Sequence, residues 1–326
     1  MTGVFGARLT APGPDPARAV ALGSAPVADA PTDWATVRMR AATLNASDLA
    51  TMAGHGFDAA GLPTILGSDG AGIDADGNDV IIYPILTDPK RLVEDPMLDP
   101  GLQMLSQGID GTFAETVRVP AANLVPKPAG LSWEAAACLG TAWLTAYRAV
   151  FTRAQLRPGE TVVVYGAGGG VATAATVLAR AGGARVWVVA RSPARGARAV
   201  DELDADAAYT LDESLPGEVD AVIDCVGGAT VAHAIRWLRP GGRLILVGAA
   251  AGAAPVIDMP RVFTRSLSIL GSAMGSPAEL VRLAALCVRP DVRVPIDSVF
   301  RLVDIHAAFE RARSGQAFGK VVLDCR

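Results

Sequence analysis

The sequence predicts an α/β protein, a doubly wound parallel sheet accompanied by a second, β-rich part. Three observations predict it. From Thr161 to about Ala273, short and nearly unbroken apolar runs alternate with helical stretches, the pattern of strands buried on both faces and joined by crossover helices. A glycine cluster, "YGAGGGVATAATVLARAGG" at 165–183, joins the first of these strands to the first helix. The first 125 residues instead alternate apolar and polar positions between turn signals, as antiparallel strands with one wet face do.

Each element follows from its own residues. "WATVRMRAATL" alternates in strand fashion, "GIDADGNDVIIYPIL" reads as a hairpin around Asp76-Gly77, and "GTFAETVRVP" as a further strand. "TVVVYG" is a β-branched strand, and "VATAATVLARAGG" a helix stopped by Gly182 and Gly183. "ARVWVVA" and "PARGARAVDEL" repeat the strand–helix pair. "VDAVIDCVG", "GRLILVGAA" and "LSILGSA" supply three more buried strands, with "ATVAHAIRWLRP" a helix among them. The closing "VFRLVDIHAAFERARSGQAFGKVVLDC" reads as strand, helix and strand returning to the N-terminal part.

Composition narrows the function classes. A net charge of −4 offers no basic footprint for nucleic acid. Cys138, Cys225, Cys287 and Cys325 are scattered, neither a disulfide framework nor a zinc knuckle, so a reducing cytoplasm is expected. The N-terminus lacks the pattern of a signal peptide. The uncharged stretch Thr161 to Ala179 approaches a membrane span in length, but its central glycines argue for strand, turn and helix, and no membrane partner is expected.

A dinucleotide turn needs small residues at three places: for the turn, for pyrophosphate approach and for helix–strand packing. Here they are Ala167, Gly169 and Ala172, with Gly168, Gly170 and Val171 completing the loop. The helix that follows would aim its first N–H groups at phosphate. An NAD site usually carries Asp or Glu after the second strand. This chain reads Arg191, Ser192 and then Arg195, and a guanidinium fork suits a 2′-phosphate. NADPH is therefore the expected cofactor, with Arg191 the discriminator.

The residues "LNASDLATMAG" (44–54), "PTILGSDGAG" (63–72), 110–151, "DCVGG" (224–228), "LILVGAAAG" (244–252) and "GKVVL" (319–323) together resemble the medium-chain dehydrogenase/reductase superfamily, in its zinc-independent, quinone oxidoreductase-like branch. The resemblance runs over nearly the whole chain. It implies a Rossmann domain, 125–289, inserted in a GroES-like catalytic domain of 1–124 and 290–326. It also implies a homodimer formed through the last Rossmann strand, near Leu267 to Gly271. Family cofactor contacts fall on Thr145, the glycine turn, Arg191, Ser192, Cys225, Val226, Gly227, Val247, Gly248, Ser272 and Lys320. Zinc-bearing members carry ligands where this chain has Asn45, Ser68 and Thr141, and a segment like 88–108 here has no cysteine, so no metal is expected.

Without a Lewis acid, the resemblance implies hydride transfer to an activated C=C or quinone/enone carbonyl compound, a small apolar substrate. Asn45 is a candidate for contact with substrate or nicotinamide ribose, or else an amide capping "ASDLA". Asp48 would anchor that loop. Related reductases often have a tyrosine soon after this motif, and "LATMAGHGFDAAG" has none. His55 and Tyr83 are the candidate proton donors, while His233 and His306 read as surface residues. Met52, Phe57, Trp143 and Met274 suggest an apolar cleft. Two other readings stand beside the reductase: a specialised biosynthetic member with a redox or non-redox step, and a nucleotide-binding protein without catalysis.

Overall fold

The computed structural model describes residues 3–25, 31–56, 61–88, 91 and 95–326. The chain forms two compact units. One comprises 1–141, 276–289 and 296–326, and the other 142–275 and 290–295. The helix Pro277–Leu286, which the sequence reading puts with the dinucleotide half, thus belongs to the β-rich unit.

The second unit is a six-stranded parallel sheet in the order Ala207–Thr210, Arg185–Ala190, Thr161–Tyr165, Val219–Asp224, Leu238–Leu246, Ser268–Gly271. The chain starts in the middle, winds outward one way, then returns to wind the other. That doubly wound order leaves a switch point beside the carboxyl end of Thr161–Tyr165, where ligands bind in such sheets. Val163, Tyr165, Val222, Ile235 and Leu244 lie in its core. The strand Ala207–Thr210 escapes the sequence reading because its four side chains are all only half-buried.

The β-rich unit is built around a sheet that runs Leu124–Pro126, Asp79–Ile82, Asp69–Asp74, Trp34–Thr43, Lys320–Asp324, Ile296–Arg301, with Thr116–Pro120 also paired to Trp34–Thr43. The Asp76-Gly77 hairpin is present: Ile73 faces Asp79 across it, and Gly77 takes φ +88°. The C-terminal strand does return to the N-terminal part, lying antiparallel to Trp34–Thr43 with Val322 opposite Thr43. A hairpin of Val4–Leu9 on Val20–Ala25, not read from the sequence, adds a second small sheet. Phe113, Phe309, Met39 and Leu66 fill the core beneath these sheets. No helix among the described residues is long and apolar enough to cross a membrane.

Candidate active site

Strand register creates a polar centre in the β-rich unit. Thr43 ends its strand and pairs with Asp69, which begins the next. Extending the Val322–Thr43 pairing by two residues puts Lys320 opposite Asn45. Three strand ends thus deliver polar side chains to one end of the sheet, although their places in sequence are far apart.

The contacts are specific. The Lys320 ammonium, 2% exposed, donates to the Leu44 carbonyl at 2.8 Å, to Asn45 Oδ1, and to Asp69 Oδ2 at 3.4 Å. Asn45 Nδ2 donates to Asp69 Oδ2 at 2.8 Å and to Ser68 Oγ at 3.3 Å. The Thr43 hydroxyl also donates to Asp69 Oδ2, at 3.1 Å. Ser68 Oγ lies 3.3 Å from Thr141 Oγ1. Ser68 and Asp69 are buried, while Thr141 is half-buried in a π-helical turn, Leu139–Trp143. Such widened turns recur at functional sites.

This arrangement sharpens the role of Asn45. An amide has two hydrogens, and here they serve Asp69 and Ser68, so none remains for a substrate oxygen. Asn45 relays polarity to Ser68 and Thr141. Asp48 anchors the loop as expected: it is 1% exposed and Oδ2 accepts the Asn45 backbone N–H at 2.7 Å. Burial pushes its carboxyl up to about 7, with the Asp69 charge adding to the rise and the Asn45 N–H and Lys320 opposing it. Its second oxygen, Oδ1, is buried without a hydrogen-bond partner, as is Asp69 Oδ1.

The two candidate proton donors are placed differently. His55 is exposed just beyond the helix Ala46–Met52, with its backbone N–H on the Ala50 carbonyl. Tyr83 is 2% exposed, and its backbone N–H is held by the Asn123 carbonyl. Met52 and Trp143 are core residues at 2% and 0% exposure rather than cleft walls, and Phe57 lies outside the described residues. His306 is half-buried on the Val20 carbonyl at 2.9 Å, and His233 sits edge-on to Trp237, so neither is a plain surface residue.

Does this donor set suit zinc, which the zinc-bearing members of the resembled superfamily hold at these positions? Zinc sites of proteins are tetrahedral and built from thiolate, imidazole and carboxylate. The positions hold an amide, two hydroxyls and an ammonium already bonded among them. They do not fit a metal ion. Among the described residues no group of three or more His, Cys, Asp or Glu is placed to hold one.

The parallel-sheet unit holds the glycine turn. The left-handed conformation of the turn falls on Gly166, φ +97°, one residue before the template position at Ala167. Ala167 itself does not take a positive φ, which explains how alanine stands where the fingerprint has glycine. Gly169 caps the helix Gly170–Ala181 with φ −73° and ψ 153°, a conformation open to any residue, and a methyl there would meet nothing within 4 Å. The fold itself makes no demand for glycine at 169. A close-approaching ligand would. Gly168, Gly170 and Val171 complete the helix entrance.

The neighbouring strand ends agree with a dinucleotide. Arg191 follows Ala190 at the end of its strand and is exposed, Ser192 caps the helix Pro193–Leu203 without a side-chain cap bond, and Arg195 is in the first turn. The nearby carboxylate, Asp206, is turned to the other end of this strand, accepting the Val186 N–H at 2.7 Å. Asp224, fully buried, accepts the N–H groups of Val226 and Gly227 at 2.8 and 2.9 Å and so shapes the "DCVGG" loop. Sequence reading missed that role, and also Gly166. Its only signal was an acidic residue just ahead of paired glycines. Gly227 takes φ +71°, and a methyl on Gly248 would lie 2.7 Å from the Cys225 carbonyl oxygen. Burial, with the Asp224 charge, pushes the Cys225 thiol up to about 12, leaving it protonated. Val247 donates its N–H to the Asp224 carbonyl, and Ser272 to that of Leu246, while Ser272 Oγ is buried without a partner. Thr145 is buried with Oγ1 against Met274 Sδ at 3.9 Å.

Comparison with known proteins agrees with both halves. Residues 31–129 match the alcohol dehydrogenase GroES-like domain, and 170–289 match the zinc-binding dehydrogenase family model. The chain is 31% identical to the zinc-type alcohol dehydrogenase-like protein YogA of Leptosphaeria maculans, over 58% of this chain and 57% of that one. It is 28% identical to the acryloyl-coenzyme A reductase of Metallosphaera sedula, over 67% of this chain and 66% of that one. These matches therefore span just under two thirds of either relative at most. A crystal structure of an NAD-dependent alcohol dehydrogenase superposes with a TM-score of 0.88 at 30% identity, covering 98% of this chain and 99% of that one. With both domain types matched and the fold shared over almost its full length, the chain belongs to the medium-chain dehydrogenase/reductase superfamily, and its likeness to an acryloyl-coenzyme A reductase fits the quinone oxidoreductase-like branch.

Proposed function

We propose that the protein is an NADPH-dependent, zinc-independent oxidoreductase that transfers hydride to an activated carbon–carbon double bond, as in an enone or an enoyl thioester, or to a quinone. One observation carries the reading. The positions that hold zinc ligands in other members hold Asn45, Ser68 and Thr141, hydrogen-bonded in line behind Lys320. A site of hydrogen-bond donors suits a substrate whose β-carbon is already electrophilic, because it has only to stabilise negative charge growing on the carbonyl oxygen. Alcohol oxidation, which needs an alkoxide, draws no such help from an amide and two hydroxyls.

NADPH, when bound, supplies the hydride. Gly169 and the N-terminus of Gly170–Ala181 receive its pyrophosphate, and Arg191 with Ser192 receives the 2′-phosphate. Thr145, Cys225, Val226, Gly227, Val247, Gly248 and Ser272 line the remaining contacts. Thr141, half-buried beside Ser68, presents its hydroxyl to the substrate oxygen, and His55 or Tyr83 delivers the proton to carbon. The name of the acryloyl-coenzyme A reductase relative favours an enoyl thioester among the substrates, which is also where a specialised biosynthetic member would act.

The active form is a homodimer. Among the described residues the strand Ser268–Gly271 pairs on one side only, with Leu238–Leu246, and Val256, Met259 and Phe263, shortly before it in the chain, are 81%, 58% and 68% exposed. A continued sheet would cover such an edge.

The test is consumption of NADPH, followed by absorbance, against a panel of small quinones, enones and crotonyl thioesters, with NADH in parallel. Turnover of at least one panel member with preference for NADPH is expected. No turnover of any of them, with NADPH nonetheless bound, would leave the non-catalytic nucleotide-binding reading standing instead.

A further inference from the structure

The ammonium of Lys320 is enclosed in the β-rich unit rather than held out for a ligand. It is 2% exposed, and its three hydrogens have three protein acceptors: the Leu44 carbonyl, Asn45 Oδ1 and Asp69 Oδ2. A buried cation persists only when paired and hydrogen-bonded, and Asp69, 0% exposed, is its partner. The backbone closes over that carboxylate: a methyl on Gly140 would lie 2.8 Å from Asp69 Oδ1. The cation also decides how Asn45 lies. Flipping the amide would point its NH2 at the ammonium and its oxygen at the Asp69 carboxylate, two repulsions in place of two attractions. With Nδ2 thus fixed toward Ser68 Oγ, the serine oxygen is held 3.3 Å from Thr141 Oγ1, within reach of a hydroxyl–hydroxyl hydrogen bond.

We propose that Lys320 is the resident cation of this centre: a positioning residue that balances Asp69 and fixes the Asn45 amide, as a metal ion fixes and balances its ligands. It is not, on this assignment, a contact to the dinucleotide. The catalytic part of the inference rests on the reductase reading above.

Lys320→Ala, supplied with propylammonium or with propanol of nearly the same shape, tests it. NADPH affinity is followed by fluorescence, kcat by NADPH consumption and folding by thermal melting. The expected result is a kcat lower by about 10- to 100-fold, the range for losing a residue that orients a site group, with NADPH affinity unchanged. Propylammonium restores much of the kcat and of the melting temperature, and propanol restores neither. Weakened NADPH binding with kcat intact, or equal recovery with both additives, overturns the assignment. If the natural protein turns over nothing, the reductase reading has failed, and the melting temperatures alone decide whether a cation is required at this place. Should Lys320→Ala not fold, Lys320→Arg is read by the same split. It keeps the charge but not the three convergent donors, so reduced kcat with unchanged NADPH affinity supports the assignment, and the reverse overturns it.

Discussion

A methyl group on Gly166 would lie 3.3 Å from the methyl of Ala172, across the first turn of the dinucleotide loop. Gly166 is also in the left-handed region, whereas Gly169 is not. Two glycines three residues apart therefore exist for different reasons. Gly166→Ala is expected to cost about 1–2 kcal/mol of stability from backbone strain, seen as a lower urea midpoint. Gly169→Ala should leave that midpoint within about 0.5 kcal/mol yet weaken NADPH binding at least about tenfold. Equal stability losses in the two variants would contradict this division.

Arg191→Ala bears on cofactor choice. Losing charge-assisted hydrogen bonds to a 2′-phosphate should raise the KM for NADPH by about 10- to 100-fold. The KM for NADH should not move. Steady-state kinetics with both cofactors decides it, and an unchanged NADPH value would remove Arg191 from the site.

Asp48 makes stability depend on pH. Its carboxyl stands at about 7 in the folded chain against an ordinary 3.8, so between those values the folded state holds a proton that the unfolded state has released. Stability is greatest below the lower value and falls as pH rises through the window. The full penalty is roughly 4 kcal/mol, present above about pH 7. Asp48→Asn keeps an acceptor for the Asn45 N–H and carries no charge to bury. Its urea midpoint should be nearly flat from about pH 4 to about pH 8, while that of the natural chain declines.

Zinc should be dispensable. Protein dialysed against a chelator is expected to keep its activity and melting temperature, with zinc well below one equivalent by elemental analysis. Stoichiometric zinc, or loss of activity restored by zinc alone, would sink the metal-free reading.

Phe263→Asp probes assembly. A carboxylate in place of the exposed Phe263, five residues before Ser268–Gly271 in the chain, should convert a dimer to a monomer, measured by light scattering after gel filtration. A natural chain that is already monomeric would reject the dimer.

The parallel sheet was legible because its strands are runs such as "TVVVYG" and "ARVWVVA", buried on both faces and unlike their helices. The candidate cofactor positions can be named from sequence because they lie within a few residues of a strand end, where local spacing sets geometry. The turn was read one residue late, since a template marks where small residues are needed, and not which of them takes positive φ. Asn45 was weighed as a substrate contact because nothing near it in sequence names its partners. Those partners, Asp69 and Lys320, are 24 and 275 residues away. They meet through antiparallel register, which no local pattern records.

That separation has a consequence for how the protein comes to be. Lys320 reaches the Leu44 carbonyl across 276 residues of chain, with the whole parallel-sheet unit synthesised in between. Until the last strand is threaded in beside Trp34–Thr43, the Asp69 carboxylate has no countercharge and the Asn45 amide no fixed direction. A chain cut short of residue 320 therefore carries every residue of the parallel-sheet unit while the Lys320 centre of the β-rich unit is still unmade.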